Sequence, residues 1–402
     1  MMNFKQIPNY FKRFFRSFKK IFTKPQFGNF KRLVSGFVLS DNTTIQEISS
    51  VYGDKDQSSL NRFATESDWD LEEVNEIRLD VANKSLGSKE DGILIFDDTM
   101  AIKTGKKMEK ANHHRSGKTK ETEWGHCFVD SVYTELESEV CYPIDIQCYI
   151  RECDADAKNI YKPKRTMMLE QIDFAKKSRI KFGYIMADSW YYSRELSHAL
   201  RERKLKYFLG VKTSLKFSKN REKKISIGEY VKSLESKDYI KHELENGTYF
   251  LHTQEISIRG DGKELLLVSY KEGDEKNIKC YLTNQFGWEN KKYMRILLKR
   301  WGIECLHRDN KQHLGLEEYQ VRKYRGLQVV VLAILCAYTL LTINKLPKFL
   351  QKFRPLKTIG EMCRFAQLTA QKSGYWMKKV FNDKDSGGRI LNQLVLVKNA
   401  KV

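Results

Sequence analysis

The chain has 402 residues, with 72 Lys and Arg against 51 Asp and Glu, which gives a formal net charge of +21. This length accommodates about two or three domains, and so large a positive excess is typical of proteins that bind a polyanion. Nucleic acid is the first candidate, and an anionic membrane surface is the second. The eight cysteines form no CxxC pair and no zinc spacing. The composition therefore argues against a disulfide-rich or zinc-finger protein and favours a reduced, cytoplasmic one.

The segment 9–32 (NYFKRFFRSFKKIFTKPQFGNFKR) mixes Phe with Lys and Arg and contains no acid. It lacks the continuous apolar core of a signal peptide, so we do not expect one here. A terminal helix that packs its Phe side chains and a basic helix that lies along DNA phosphates are both open, with a membrane-surface helix ranked below them. Helical periodicity continues beyond this segment, which predicts an N-terminal helical DNA-binding domain over 1–90.

Short apolar runs followed by helical patterns begin at residue 91 and predict an α/β core. Its first part covers 91–212. A mostly β segment follows over 213–288, where alternating apolar and polar residues are separated by turns rich in Gly, Asn and Asp. The core resumes with helices over 289–345, and 346–402 is predicted to be a basic C-terminal extension.

One apolar run, LQVVVLAILCAYTLLTI, covers residues 327–343. Its length is close to the minimum for a membrane span. Lys and Arg flank it on both sides, so it carries no orientation signal. We therefore expect a buried core helix and no contact with a membrane.

Three acidic residues stand out at the ends of predicted strands or on a helix beside them. Asp98 follows the buried strand GILIF, Asp188 follows the apolar run GYIMA, and Glu304 lies on the helix LKRWGIECLHRDNK. In open α/β sheets, polar groups at the carboxyl ends of neighbouring strands meet at one edge. Three carboxylates there would raise one another's pKa values unless a cation joined them, and oxygen ligands of this kind suit Mg²⁺. Each acid taken alone is more simply a strand or helix end facing solvent.

The helix around Glu304 adds two cations to this pattern. Arg300 lies four residues before Glu304 and Lys311 seven residues after it, so the three side chains share one helix face. Cations so placed are candidates for holding DNA phosphates, with a solvated ion pair as the alternative. Three further candidates for phosphate binding follow the first core strand, with a solvated basic turn as the alternative: Lys103, Lys106 and Lys107.

Aromatic and histidine side chains give weaker indications. Trp288 and Trp301 are candidates for stacking on an unpaired base, but core packing is the favoured interpretation for both. His113, His114 and His126 lack the ligand spacing of a zinc site, so we assign them to a loop that contacts DNA.

Together these motifs resemble the DDE transposases of insertion sequences, in the cut-and-paste branch. That branch has an Asp before Thr at a strand end, here in DDT, and a second Asp after an apolar strand, here in ADSWY. Its third signature is Tyr-x2-Arg-x3-Glu-x6-Lys, which Arg300, Glu304 and Lys311 match. Leu297 stands at the Tyr position. Either Tyr293, one helical turn earlier, replaces it, or that DNA contact is missing. The resemblance covers approximately residues 40–345.

The resemblance implies a ribonuclease H-like catalytic core that is interrupted by the β segment 213–288. It implies metal-dependent cleavage at the element ends, followed by transfer of the 3′-hydroxyl into target DNA. The catalytic residues would be Asp98, Asp188 and Glu304, acting as ligands of two Mg²⁺ ions, with Mn²⁺ as the alternative metal. Strand alternation lets only one of the adjacent aspartates face the cleft readily, and the family pattern selects Asp98 because the ligand directly precedes Thr. Asp97 would then pair with a Lys such as Lys103 or cap the strand end.

The implied partners are DNA, in the form of terminal inverted repeats and target DNA, and a second copy of the chain in a synaptic homodimer. We expect the protein in the cytoplasm, associated with the nucleoid when it is bound to DNA. Three alternatives stay open. They are a catalytically inactive, transposase-derived DNA-binding protein, another ribonuclease H-like nuclease, and a membrane-surface protein.

Overall fold

A computed structural model describes residues 11–52, 57–117, 119–154, 161–218, 224–258, 262–343 and 358–371. The helices are α1 (Lys12–Arg16), α2 (Lys24–Leu39), α3 (Ile45–Tyr52), α4 (Gln57–Thr65), α5 (Leu71–Leu86), α6 (Lys164–Lys177), α7 (Arg194–Glu202), α8 (Ile227–Ser233), α9 (Asn290–Leu298), α10 (Trp301–Gln312), α11 (Tyr324–Ile343) and α12 (Ile359–Gln371). The strands are β1 (Ile93–Ile102), β2 (Asn112–Arg115), β3 (Thr122–Thr134), β4 (Cys141–Tyr149), β5 (Tyr184–Ala187), β6 (Lys206–Gly210), β7 (Lys216–Phe217), β8 (Ile225–Ser226), β9 (Ile240–Leu244), β10 (Gly247–Ile258), β11 (Gly262–Lys271) and β12 (Lys279–Thr283).

One large mixed sheet organises the described residues, so the protein is α/β as predicted. Its strand order is β2-β3-β1-β5-β6-β12-β11-β10-β9, and β4 also pairs with β3. Strands β1, β5 and β6 are parallel to one another, whereas β3 runs antiparallel to β1 and β12 runs antiparallel to β6. The region predicted to be mostly β thus supplies strands that continue the same sheet beyond β6, together with the small β7–β8 pair and α8.

Both faces of the central strand β1 are buried, which explains its unbroken apolar run. Ile93 and Ile95 face one side, where they join a core that includes residues of α10 and α11. Leu94 and Phe96 face the other side, where they join a core that includes residues of α6 and α7. This alternation fixes the side on which each later residue of β1 projects.

Helix α11 is a core helix, as its sequence predicts. It packs against β4 and against the N-terminal helices α2, α4 and α5. By length and composition alone it is apolar enough to cross a membrane, but 83% of its most apolar window is buried inside the protein. The described residues contain no second helix that passes the same length and hydropathy test.

The N-terminal Phe side chains pack inward, which confirms the packing interpretation of this segment. The buried ones are Phe11, Phe14, Phe15, Phe18, Phe22 and Phe30. Phe22 also contacts the rings of Phe63 and Trp69, so the cluster joins the next helices. The cations interspersed with these rings are exposed and form what we call the N-terminal basic face: Lys12, Arg13, Arg16, Lys19, Lys20 and Lys24. The C-terminal extension, predicted over 346–402, lies outside the described residues except for 358–371.

Candidate active site

The two adjacent aspartates lie inside β1, at the point where the neighbouring strand β5 ends. Phe96 pairs with Ala187, the last residue of β5, while β1 continues to Ile102. The prediction that β1 ends at Asp98 is therefore wrong. Among the described residues, β1 has no strand partner on the β5 side beyond Phe96, which leaves a notch at the carboxyl end of β5. This is the part of a parallel sheet where ligands bind.

Strand alternation sends the two aspartates to opposite faces of the sheet. Asp97 projects toward α10, where the Nη1 atom of Arg300 lies 3.4 Å from its Oδ2 atom. Asp98 projects toward α6, where the Nζ atom of Lys164 donates a hydrogen bond of 2.8 Å to its Oδ2 atom. Burial raises the pKa of Asp97 to about 6, with further contributions from the charges of Asp188 and Asp98 and an opposing one from His307.

Lys103 does not pair with Asp97 and is not placed to bind a phosphate, so both predictions for it are wrong. Its ammonium donates to the carbonyl oxygens of Glu317 and Tyr319 at 2.7 and 2.9 Å, and it lies 3.4 Å from the centre of the Tyr319 ring. Burial lowers its pKa to about 8. The chain after α10 returns over this lysine, which is why its local sequence gave no sign of burial. Lys106 and Lys107 are exposed.

Asp188 lies at the end of β5 and links the two groups of charges. The backbone N–H of Trp190 donates to its Oδ1 atom at 2.5 Å, which fixes the turn that follows the strand. Burial and the neighbouring charge of Asp98 raise its pKa, while Arg300 and Lys164 oppose that rise. Asp188 is therefore in electrostatic contact with both the α10 side and the α6 side of the sheet.

Arg300 directly precedes α10 and is paired with Glu304 one turn later, as the shared helix face predicts. The same guanidinium reaches Asp97, and it lies beside Asp188 and Tyr281 of β12. Although burial lowers the pKa of Arg300, these neighbouring negative and phenolic groups raise it above its ordinary value. Arg300 is thus the cation that ties α10 to the central strand.

Lys311 lies near the end of α10, where its Nζ atom is 2.9 Å from the Oε1 atom of Glu317. Its side chain is 28% exposed, so part of it is open to solvent. A role in phosphate binding stays a prediction for Lys311.

A histidine–aspartate pair also lies beside the site, and sequence reasoning missed it. The Nε2 atom of His307 on α10 lies 2.8 Å from the Oδ2 atom of Asp130. Asp130 is fully buried on β3 and is the register partner of Asp97. The spacing of three residues between Glu304 and His307 places both on one side of a helix and is the signal that could have found it.

Lys164 and Tyr281 were also missed because only the folded chain brings them to the site. Lys164 begins α6, and Tyr281 lies on β12. Neither position has a local pattern that points to the acids, which are far away along the sequence.

The predictions for the aromatic residues have mixed outcomes. Trp288 packs against the rings of Phe208 and Tyr184, as expected. Trp301 is 61% exposed, so the expectation of core packing is wrong for it. Tyr293 does not replace the missing Tyr as a DNA contact, because it is buried and its hydroxyl donates to the carbonyl of Gln285.

The histidines at 113, 114 and 126 lie on β2 and β3 and not on a loop. The ring of His126 is buried, with its Nδ1 atom 2.7 Å from the hydroxyl of Tyr319. The assignment of these histidines to a loop is therefore wrong, whereas a DNA contact stays a prediction for the exposed His113.

The three predicted metal ligands are not assembled as one metal-binding group. Within the part of the chain that the structure describes, no group of three or more His, Cys, Asp or Glu side chains is placed to hold a metal ion. Asp98 is bound by Lys164 on one face, and Glu304 is bound by Arg300 on the other. The donor set nevertheless fits a hard divalent cation, because it consists of carboxylates and because burial and the charge of Asp98 both raise the pKa of Asp188, an effect that a bound cation would oppose.

Comparison with known proteins identifies the family that this chain matches. Residues 17–225, just over half of the chain, match a family described as "DDE superfamily endonuclease". The chain is 26% identical over 173 residues to a protein of Microchaete diplosiphon described as "Probable transposase for insertion sequence element IS701". That match spans 42% of this chain and 45% of the relative. A cryo-EM structure of a piggyBac transposase synaptic complex with hairpin DNA aligns with a TM-score of 0.45 and 11% identity, over 93% of this chain and 76% of that one.

Proposed function

The chain belongs to the DDE superfamily of endonucleases, and from that premise we propose that it is a DNA transposase. It would cut phosphodiester bonds at the ends of a mobile element and join the resulting 3′-hydroxyl to target DNA. The observation that carries this proposal is the meeting of three acids, Asp97 of β1, Asp188 after β5 and Glu304 of α10, around Arg300. The net charge of +21 supports a polyanionic substrate.

We propose that the catalytic core is ribonuclease H-like. The strand series β4-β3-β1-β5-β6, with β3 and β4 antiparallel to their neighbours and β5 and β6 parallel, supports this assignment. The core would comprise 91–212 and 289–345, and 213–288 would be an insertion whose outer strands extend the core sheet. Residues 1–90 would form the DNA-binding domain, for which the N-terminal basic face supplies the cations.

Members of this superfamily use divalent metal ions, and we propose Mg²⁺ as the metal here, with two ions per site. Asp98, Asp188 and Glu304 would hold them, and Asp97 would keep Arg300 in place through the contact described above. Because Asp98 and Glu304 lie on opposite faces of β1, metal binding would have to displace Lys164 from Asp98 and Arg300 from Glu304 and draw the two carboxylates together beside Asp188. A bound divalent ion supplies an activated water or 3′-hydroxyl and stabilises the leaving oxygen. The chain's own contribution is the placement of these carboxylates at the notch beside β5, where the backbone bond from Trp190 orients Asp188.

Cations around the acids would position the DNA backbone. Lys311 lies on the helix of Glu304 and Arg300 directly precedes that helix, and Lys106 and Lys107 are exposed after β1. Phosphate contacts of this kind fix the register of the duplex without reading its sequence. Lys164, which neutralises Asp98, adds a cation that sequence analysis did not predict.

We further propose that the protein acts in the cytoplasm as a homodimer that brings two terminal inverted repeats together, without a membrane partner. The sequences of these repeats would be found in the DNA that flanks the gene.

The test is a magnesium-dependent cleavage assay on DNA that carries the flanking inverted repeats. We expect Asp188→Asn to lower the cleavage rate by about a hundredfold or more while leaving duplex binding intact, because only the charge of one carboxylate is removed. Asp173→Asn is the matched control, since Asp173 is an exposed acid of α6 paired with Arg203. It should cut at the parental rate.

Three results would contradict the proposal. An Asp188→Asn variant that cuts as fast as the parent would remove this residue from the site. A parent protein that binds the repeats but never cuts them would identify a catalytically inactive DNA-binding protein, and cleavage without preference for the repeats would identify another nuclease.

A further inference from the structure

The indole of Trp190 stands exposed directly after the candidate active site. It is 63% exposed, whereas Trp69 in the N-terminal core is only 8% exposed. Trp190 lies two residues after Asp188, in the turn between β5 and α7. An exposed indole beside a cluster of charged groups offers a flat apolar face on which a base can stack.

The turn that carries Trp190 is held firmly by its backbone and by its neighbours. The N–H groups of Trp190 and Tyr191 both donate to Asp188, to the side chain and to the carbonyl oxygen respectively. Tyr191 is buried in the core on the α6 side of the sheet. Gly210 allows this close packing, because a Cβ atom there would lie 2.8 Å from the backbone nitrogen of Ser189. The exposed ring therefore projects from a defined position.

A cation accompanies the ring. The Nζ atom of Lys212 lies 4.4 Å from the centre of the Trp190 ring. Lys212 comes two residues after the end of β6, so ring and ammonium lie at the carboxyl ends of adjacent parallel strands. No acid is within ion-pair distance of Lys212 in the ranges that the structure describes.

We propose that Trp190 and Lys212 form a binding site for one unpaired nucleotide, with the base stacked on the indole and the phosphate contacted by the ammonium. The proposal rests on the proposed function and extends it from duplex cleavage to the handling of a strand end. An unpaired base presents an open π-face, which a base inside a duplex does not. The positive charge of the neighbouring Lys212 would attract a phosphate group, so the pair favours a nucleotide over a purely apolar ligand.

The test measures tryptophan fluorescence of the full chain in EDTA while a short single-stranded oligonucleotide of mixed sequence is added. We expect the oligonucleotide to quench the emission of the parent and of Trp301→Phe, a control that removes a second indole of nearly equal exposure. Trp190→Phe should lose this quenching. Trp190→Ala should weaken single-strand binding by roughly 5- to 150-fold, and Trp190→Phe should recover most of that affinity.

Binding to the same sequence as a blunt duplex separates this proposal from the proposed function. Trp190→Ala should bind the duplex as the parent does. The nucleotide site is refuted if the oligonucleotide quenches Trp190→Phe as strongly as the parent, or if Trp190→Ala keeps full single-strand affinity. In that case, duplex binding and cleavage by the parent would still support the transposase assignment. A parent that neither binds nor cuts duplex DNA would overturn both.

Discussion

Replacing Asp97 by Asn should make the protein's stability less sensitive to pH. In the folded chain the side chain of Asp97 is only 19% exposed, and burial raises its pKa from 3.8 to about 6. Between these two pH values the folded chain keeps a proton that the unfolded chain has already released. The free energy of unfolding therefore falls as pH rises through this window, and the loss is complete above about pH 6.

The size of the effect follows from the two pKa values. A rise from 3.8 to about 6 corresponds to about 3 kcal/mol of lost stability at neutral pH, at about 1.4 kcal/mol for each pKa unit. Asn has nearly the same shape as Asp and carries no charge, so it avoids this loss. Relative to the parent, Asp97→Asn should therefore gain about 2 kcal/mol between pH 4.5 and pH 7, with the remainder gained below that range.

The assay is urea unfolding of parent and variant, near pH 4.5 and near pH 7, with EDTA present so that no divalent cation competes for the carboxylates. Asp173→Asn is the control, because the contribution of Asp173 to stability should change with pH in the opposite direction. The hydrogen bond from Arg203 lowers the pKa of Asp173, so that residue stabilises the fold above the ordinary pKa of a carboxyl group and loses its contribution as pH falls. A stability difference between Asp97→Asn and the parent that does not change with pH would refute the reasoning.

Three further predictions concern regions away from the acids. Lys103→Met should destabilise the fold by roughly 2–3 kcal/mol in thermal or urea unfolding, because two carbonyl oxygens lose a charged donor. Lys106→Met is the control and should leave the stability unchanged, so equal effects of the two substitutions would contradict the burial of Lys103. Gly315→Ala should cost more than about 2 kcal/mol of stability, since φ is +69° and a Cβ atom would lie 1.5 Å from Oγ1 of Thr43; a neutral result would show that this contact relaxes. Neutralising three cations of the N-terminal basic face should lower the slope of log affinity for DNA against log salt by about 2 to 3, without changing thermal stability; an unchanged slope would remove the face from the DNA interface.

Patterns that depend on neighbouring residues were predictable from the sequence. The apolar run before Asp97 required a buried strand, and the run at 327–343 required a buried helix once its flanking charges were considered. The spacing of Arg300 and Glu304 required them to meet, because four residues make about one helical turn.

Contacts between distant parts of the chain were not predictable in this way. Lys103 is buried by a segment that is 214 residues away along the chain. A run of lysines taken alone predicts solvent-exposed side chains, because nothing in it indicates that a distant segment covers one of them. Lys164 reaches Asp98 across 66 residues for the same reason. The length of β1 beyond its partner β5 also escaped prediction, because the end of a strand is set by pairing as well as by its own residues.

The position of α11 has a consequence for biosynthesis. The N-terminal helices bury their apolar sides against α11, yet about 285 residues separate the end of α2 from the start of α11. At roughly 5–20 residues per second, a ribosome needs about 15 to 60 s to cover that distance. During this interval the Phe-rich segment has emerged without the helix that completes its core. Helix α11 is translated late and yet completes the core that the first helices begin, so a nascent polypeptide truncated before it would expose an apolar surface to chaperones and proteases.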